Sequence, residues 1–111
     1  LYKAMQHIEV SIEANNNGSG NVYKIDGLQN RPLTGDQSLK RKKSYKFVHS
    51  SDHPLRFSET PDGTHGGGTE YTTGVTTSSG ETVIQFNDST PSTLYYYCDI
   101  HAGMGAEITV E

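Results

Sequence analysis

Several short stretches of the chain alternate apolar and polar residues. In "HIEVSIE" (His7 to Glu13), Ile8, Val10 and Ile12 fall on one side and Glu9, Ser11 and Glu13 on the other. A period of two predicts a strand with one buried face, here a single half-buried antiparallel strand. "VYKID" (Val22 to Asp26) predicts a second strand, ended by Gly27. "SYKFVHS" (Ser44 to Ser50) carries Tyr45 and Phe47 on one face, and "PLRFS" (Pro54 to Ser58) pairs Leu55 with Phe57. "ETVIQF" (Glu81 to Phe86), "TLYYYC" (Thr93 to Cys98) and "GAEITV" (Gly105 to Val110) complete the set.

The punctuation between strands is explicit. "NNNGSGN" (Asn15 to Asn21) and "NDSTPS" (Asn87 to Ser92) are turn sequences. "RPLTG" contains Pro32 and predicts a loop or a sheet edge. Residues 59–80 show no period and are rich in Gly, Thr and Ser. A loop of that length in a small domain is expected to be functional or folded against the body. No helical period and no internal repeat occurs. Seven or eight short strands predict an all-β, antiparallel sandwich or barrel.

In "TLYYYC", Tyr96 shares a face with Leu94 and Cys98, while Tyr95 and Tyr97 share the other. That second face reads as covered rather than as an exposed aromatic strip.

Composition narrows the class. The 111 residues suit one domain, and 32% are hydrophobic, with twelve Gly and no Trp. Seven Tyr and three Phe, with the alternation, argue against disorder. A net charge of −4 argues against nucleic acid, which needs a concentrated basic face. The one basic run, "LKRKKSYK" (Leu39 to Lys46), reads as a solvated strand edge where lysines oppose edge-to-edge pairing. No run is apolar enough to span a membrane, and no signal-peptide pattern is present. The chain starts at Leu, which fits a processed chain or a domain cut from a longer one. A single cysteine permits no internal disulfide.

That cysteine carries the chemistry. Cys98, His101 and Met104 form a C-x2-H-x2-M pattern on one turn between two predicted strands. Cys98 alone would be a small buried hydrophobe. Thiolate, imidazole and thioether gathered on one turn favour copper, because soft donors hold Cu(I) while nitrogen donors accept Cu(II). Zinc is the weaker choice, since a thioether is a poor zinc ligand. A Cys nucleophile with a His base lacks an evident oxyanion donor or orienting partner, so no enzyme is expected.

A copper site of this kind needs a second imidazole. His53, between two predicted strands, is the first choice, with His7, His49 and His65 as alternatives. His65 lies in "DGTHGGG" and is expected to be exposed, with a place at the site or at a second metal position as its lesser reading. The glycines there lack the Lys-Ser/Thr ending and following helix of a phosphate loop.

The order of these residues resembles that of the cupredoxins, the small blue copper proteins. "KFVHSSDHPLRFS" is similar to the strand–His–strand segment of plastocyanins and amicyanins, and "YYYCDIHAGM" to their C-terminal ligand loop, with the short amicyanin spacing. The likeness covers roughly residues 40–110. "DHPLRFS", "PDGTHGGGTEYTTGV" and "LYYYCDIHAGMG" also resemble cupredoxin-like domains inside longer proteins of marine microbes and their phages.

The resemblance implies a Greek-key sandwich and one copper ion held by His53, Cys98, His101 and, weakly, Met104. It implies one-electron transfer with a partner protein by a monomer outside the cytoplasm. Electrons would leave through His101, beside a small apolar face of Ile100, Ala102 and Gly103. The other readings are a copper-binding or vestigial module with a structural or binding role in a larger secreted or phage protein, and copper storage or delivery. One departure is clear. The family usually places Asn after the mid-chain His, giving an N–H to the sulfur and a tie between the ligand loops. Here that residue is Pro54, which has no N–H.

Overall fold

The computed structural model describes residues 5–111. They form ten strands: β1 (Gln6–Glu9), β2 (Ser11–Ala14), β3 (Asn21–Ile25), β4 (Leu28–Gln29), β5 (Ser44–Val48), β6 (Leu55–Ser58), β7 (Val75–Ser78), β8 (Glu81–Gln85), β9 (Thr93–Cys98) and β10 (Ala106–Thr109). Three sheets result, in the orders β1-β5-β8-β7, β10-β9-β6 and β2-β3-β4. Two short 3₁₀ turns, Gly35–Gln37 and Gly63–Gly66, are the only helical segments among the described residues. Among the described residues, no helix is long and apolar enough to cross a membrane.

Inward-facing residues of all three sheets meet in one core. Phe47 of β5 and Phe57 of β6 meet edge to face, their ring centroids 5.3 Å apart. Tyr45 packs on Phe86, and Tyr23 of β3 packs on Tyr96 of β9. Cys98 and Met104 belong to the same buried cluster.

Four expectations need correction. The predicted strand from His7 to Glu13 is two strands. β1 runs parallel to β5, with Ile8 opposite Phe47, and β2 runs antiparallel to β3. The chain changes sheets at buried Val10, whose N–H donates to the Val48 carbonyl at 2.8 Å. Alternation reports which side chains face the core; it carries no signal for a change of partner or for pairing direction.

The aperiodic stretch 59–80 contains β7 and a 3₁₀ turn. β7 pairs with β8 on the sheet's edge, and Thr76, Thr77 and Ser78 are exposed, so it has no buried alternation to read. The two-residue β4 was likewise absent from the prediction.

The basic run is a turn into β5, an interior strand, rather than a strand edge. Lys42 is left-handed, with φ 64°. Arg41 fastens the turn by donating to the carbonyls of Asn87 and Thr90.

The second face of β9 is covered, as expected. Tyr97 is fully buried, and Gly63 lies against its ring. A Cβ on Gly63 would come 2.5 Å from that ring, so the close approach needs glycine.

Candidate metal centre

Strand register brings the donors together. Leu55 at the start of β6 stands opposite Cys98 at the end of β9. The Asp99 N–H donates to the Pro54 carbonyl at 2.9 Å, which extends the ladder by one step. His53 therefore faces the turn that follows Cys98. Its own turn is closed by the His53 N–H on the Ser50 carbonyl, 3.1 Å away.

The turn after Cys98 depends on two glycines. Gly103 has φ 79°, a conformation that side chains resist. At Gly105 a Cβ would lie 1.8 Å from the Tyr96 carbonyl oxygen. Between them Met104 turns inward and is fully buried.

The donor atoms of His53, Cys98 and His101 all lie within 4.8 Å of one another. Nδ1 of His53 and Nδ1 of His101 are each 3.9 Å from the Cys98 sulfur. The two imidazoles stand 5.0 Å apart, centroid to centroid. Cys98 is buried, His53 half-buried and His101 exposed. Met104 lines an open cleft of about 350 Å³ with His53, His101, Ala102, Ser19, Gly20 and Asn21.

This arrangement could hold a metal ion. With metal–sulfur and metal–nitrogen bonds of about 2.3 and 2.05 Å, one ion spans a 3.9 Å gap at an angle of about 125–130°. That is wider than a tetrahedral angle and suits a trigonal set of two imidazoles and a thiolate.

The other histidines stand apart from this cluster. His7 is on β1, exposed and opposite Lys46. His49 is buried and bonded elsewhere, with Nδ1 2.8 Å from the Ser50 carbonyl and Nε2 2.9 Å from the Thr82 hydroxyl. Burial holds its pKa below the ordinary imidazole value, against the opposing effect of the Ser50 carbonyl. His65 is exposed, as expected, yet its Nε2 lies 2.8 Å from the Cys98 carbonyl oxygen.

Residues that the sequence did not single out secure the turn. Asp62 accepts the Gly103 N–H on both carboxylate oxygens, at 3.0 and 3.2 Å. The Asn30 side-chain amide donates to the carbonyls of Gly103 and Gly105, each at 3.1 Å. Tyr23 donates its N–H to the Met104 carbonyl and its hydroxyl to the His53 carbonyl. Burial first, and then the nearby Cys98 sulfur, drives the Tyr23 pKa well above the ordinary phenol value, so the hydroxyl keeps its proton. Only "PDG" (Pro61 to Gly63) carried a local signal, that of a turn.

No protein-family model, curated protein or solved structure matches the chain.

Proposed function

We propose that the chain is a cupredoxin-type electron carrier, in which His53, Cys98, His101 and, weakly, Met104 would hold a copper ion. The observation that carries this reading is the convergence of two Nδ1 atoms on one buried sulfur, each at 3.9 Å. Buried Met104 beside them supplies the thioether that zinc sites do not use. The ten strands, and the Phe47–Phe57 contact between the β5 and β6 sheets, support a Greek-key sandwich.

Copper bound there supplies a one-electron couple. The chain's own contribution is to hold the donors still. Cys98 and Met104 are packed in the core, and hydrogen bonds fasten both loops, so the donors keep one geometry when charge changes. His101 reaches solvent and offers the electron its shortest path to a partner. Ile100 is 57% exposed, and with Ala102 and Gly103 it forms the small apolar face on which that partner docks. The carrier works as a monomer outside the cytoplasm, and it is not an enzyme.

The test is a visible spectrum after Cu(II) is added to the metal-free protein and to Cys98→Ala. An intense thiolate-to-copper band, absent in the variant, is expected. Only the faint absorption of an ordinary Cu(II) complex would overturn the reading and point to a binding or structural module.

A further inference from the structure

Tyr23 commits all three of its polar groups around the ligand loops. Its N–H donates to the Met104 carbonyl at 2.9 Å. Its hydroxyl donates to the His53 carbonyl at 2.5 Å. Its own carbonyl accepts the Asn30 N–H at 2.9 Å, and the Asn30 side chain in turn holds Gly103 and Gly105. The residue is fully buried, and its ring packs on Tyr96. One residue on β3, far in sequence from either loop, thus bridges them: its side chain holds the loop of His53 and its backbone the loop of His101 and Met104.

We infer that Tyr23 is a positioning residue that locks the two ligand loops together before any metal arrives. This rests on the proposed metal site but goes beyond it, because the lock acts in the metal-free protein. Pro54 has no N–H to offer and joins the loops through its carbonyl alone, and Tyr23 adds a second tie from another sheet. A hydrogen bond from a buried phenol to a backbone carbonyl is costly to leave unmade, so this bond adds to the Asp99–Pro54 bond in opposing separation of the loops. Preorganised donors then lose no further order when they bind an ion, and the ion leaves more slowly.

Cys98 is the single cysteine and is fully buried, so its reaction with a thiol reagent reports how often the loops part. The experiment compares metal-free wild type, Tyr23→Phe and Tyr96→Phe with Ellman's reagent. Tyr96 is the matched control: it is equally buried, and its hydroxyl bonds a carbonyl outside the ligand loops, that of Arg31 at 2.7 Å. Tyr23→Phe is expected to raise the thiol reaction rate about tenfold, while Tyr96→Phe leaves it within about twofold, at similar urea midpoints. Copper(II)-loaded Tyr23→Phe is expected to lose its metal to a chelator faster by a similar factor.

An unchanged rate in Tyr23→Phe, or equal acceleration in both variants, would overturn the inference, since the second result describes general loosening. Should Tyr23→Phe fail to fold, hydrogen exchange in the wild type decides. The Tyr23 amide must then exchange as slowly as the core of β9, and exchange at the rate of the Asn15–Gly20 turn sinks the lock. If no thiolate-to-copper band forms in the wild type, the metal reading fails while the thiol rates still decide the role of Tyr23.

Discussion

The imidazole of exposed His65 meets the backbone carbonyl of buried Cys98, with Nε2 2.8 Å from the oxygen, although 33 positions separate the two residues. A carbonyl can only accept, so Nε2 carries the proton. The ring edge also lies on Tyr97, with centroids 6.2 Å apart. The glycine-rich 3₁₀ turn is thereby fastened to the end of the strand that bears the sulfur.

Replacing His65 by Ala leaves the Cys98 carbonyl to water. A neutral hydrogen bond contributes about 1 kcal/mol. The variant should unfold at lower urea concentration by that amount, with the m-value unchanged. A stability equal to wild type would mean that water replaces the imidazole at no cost.

Gly105→Ala should be far more damaging. Its Cβ would sit 1.8 Å from the Tyr96 carbonyl oxygen, which is backbone and has no rotamer to change. A loss of at least about 3 kcal/mol is expected, the upper end of overpacking costs. Gly67→Ala serves as the comparison. It has open space around it and a positive φ of 88°, so only backbone strain applies, about 1–2 kcal/mol. Urea denaturation of both variants checks the difference.

His49 gives the fold a pH dependence of known sign. Burial lowers its pKa below the ordinary value of about 6.5, so near that pH the unfolded chain binds more protons than the folded one. Its contribution to stability is complete above the unfolded value and is lost as pH falls toward the folded value. The Ser50 carbonyl, which accepts from Nδ1–H, opposes this shift and burial outweighs it. His49→Gln should flatten the loss of stability as pH falls below the ordinary imidazole value of about 6.5. A slope identical to wild type would assign the effect to other groups.

Pro54→Asn should raise the reduction potential of the copper-loaded protein. A new N–H to the sulfur draws charge from the thiolate and favours Cu(I). One hydrogen bond of about 1 kcal/mol corresponds to about 40 mV for a one-electron couple. Voltammetry of both forms decides, and an unchanged or lower potential would contradict the argument.

The part of the site that was legible was the part that is local. Cys98, His101 and Met104 share one turn, and their donor types and spacing are visible along the chain. His53 followed from its place between two strands, and β6–β9 pairing then brought it to the cluster. The strands with one buried face, such as β5 and β8, were visible for the same reason. β7 was not, because its exposed Thr and Ser give no alternation. The ties at Tyr23, Asn30, Asp62 and His65 were also hidden. Each is a hydrogen bond to a backbone atom 30 to 75 positions away, and backbone atoms leave no mark in a sequence.

β6 has β9 as its only strand partner among the described residues. β6 therefore lacks its strand partner until Thr93–Cys98 has been made. Segments such as β2–β3 and β7–β8 have partners close by in sequence, so their loop closure is less demanding. His53 meets Cys98 only when that late pairing closes the core. Until β9 is made and paired, the three side chains that could hold an ion stay scattered along the chain.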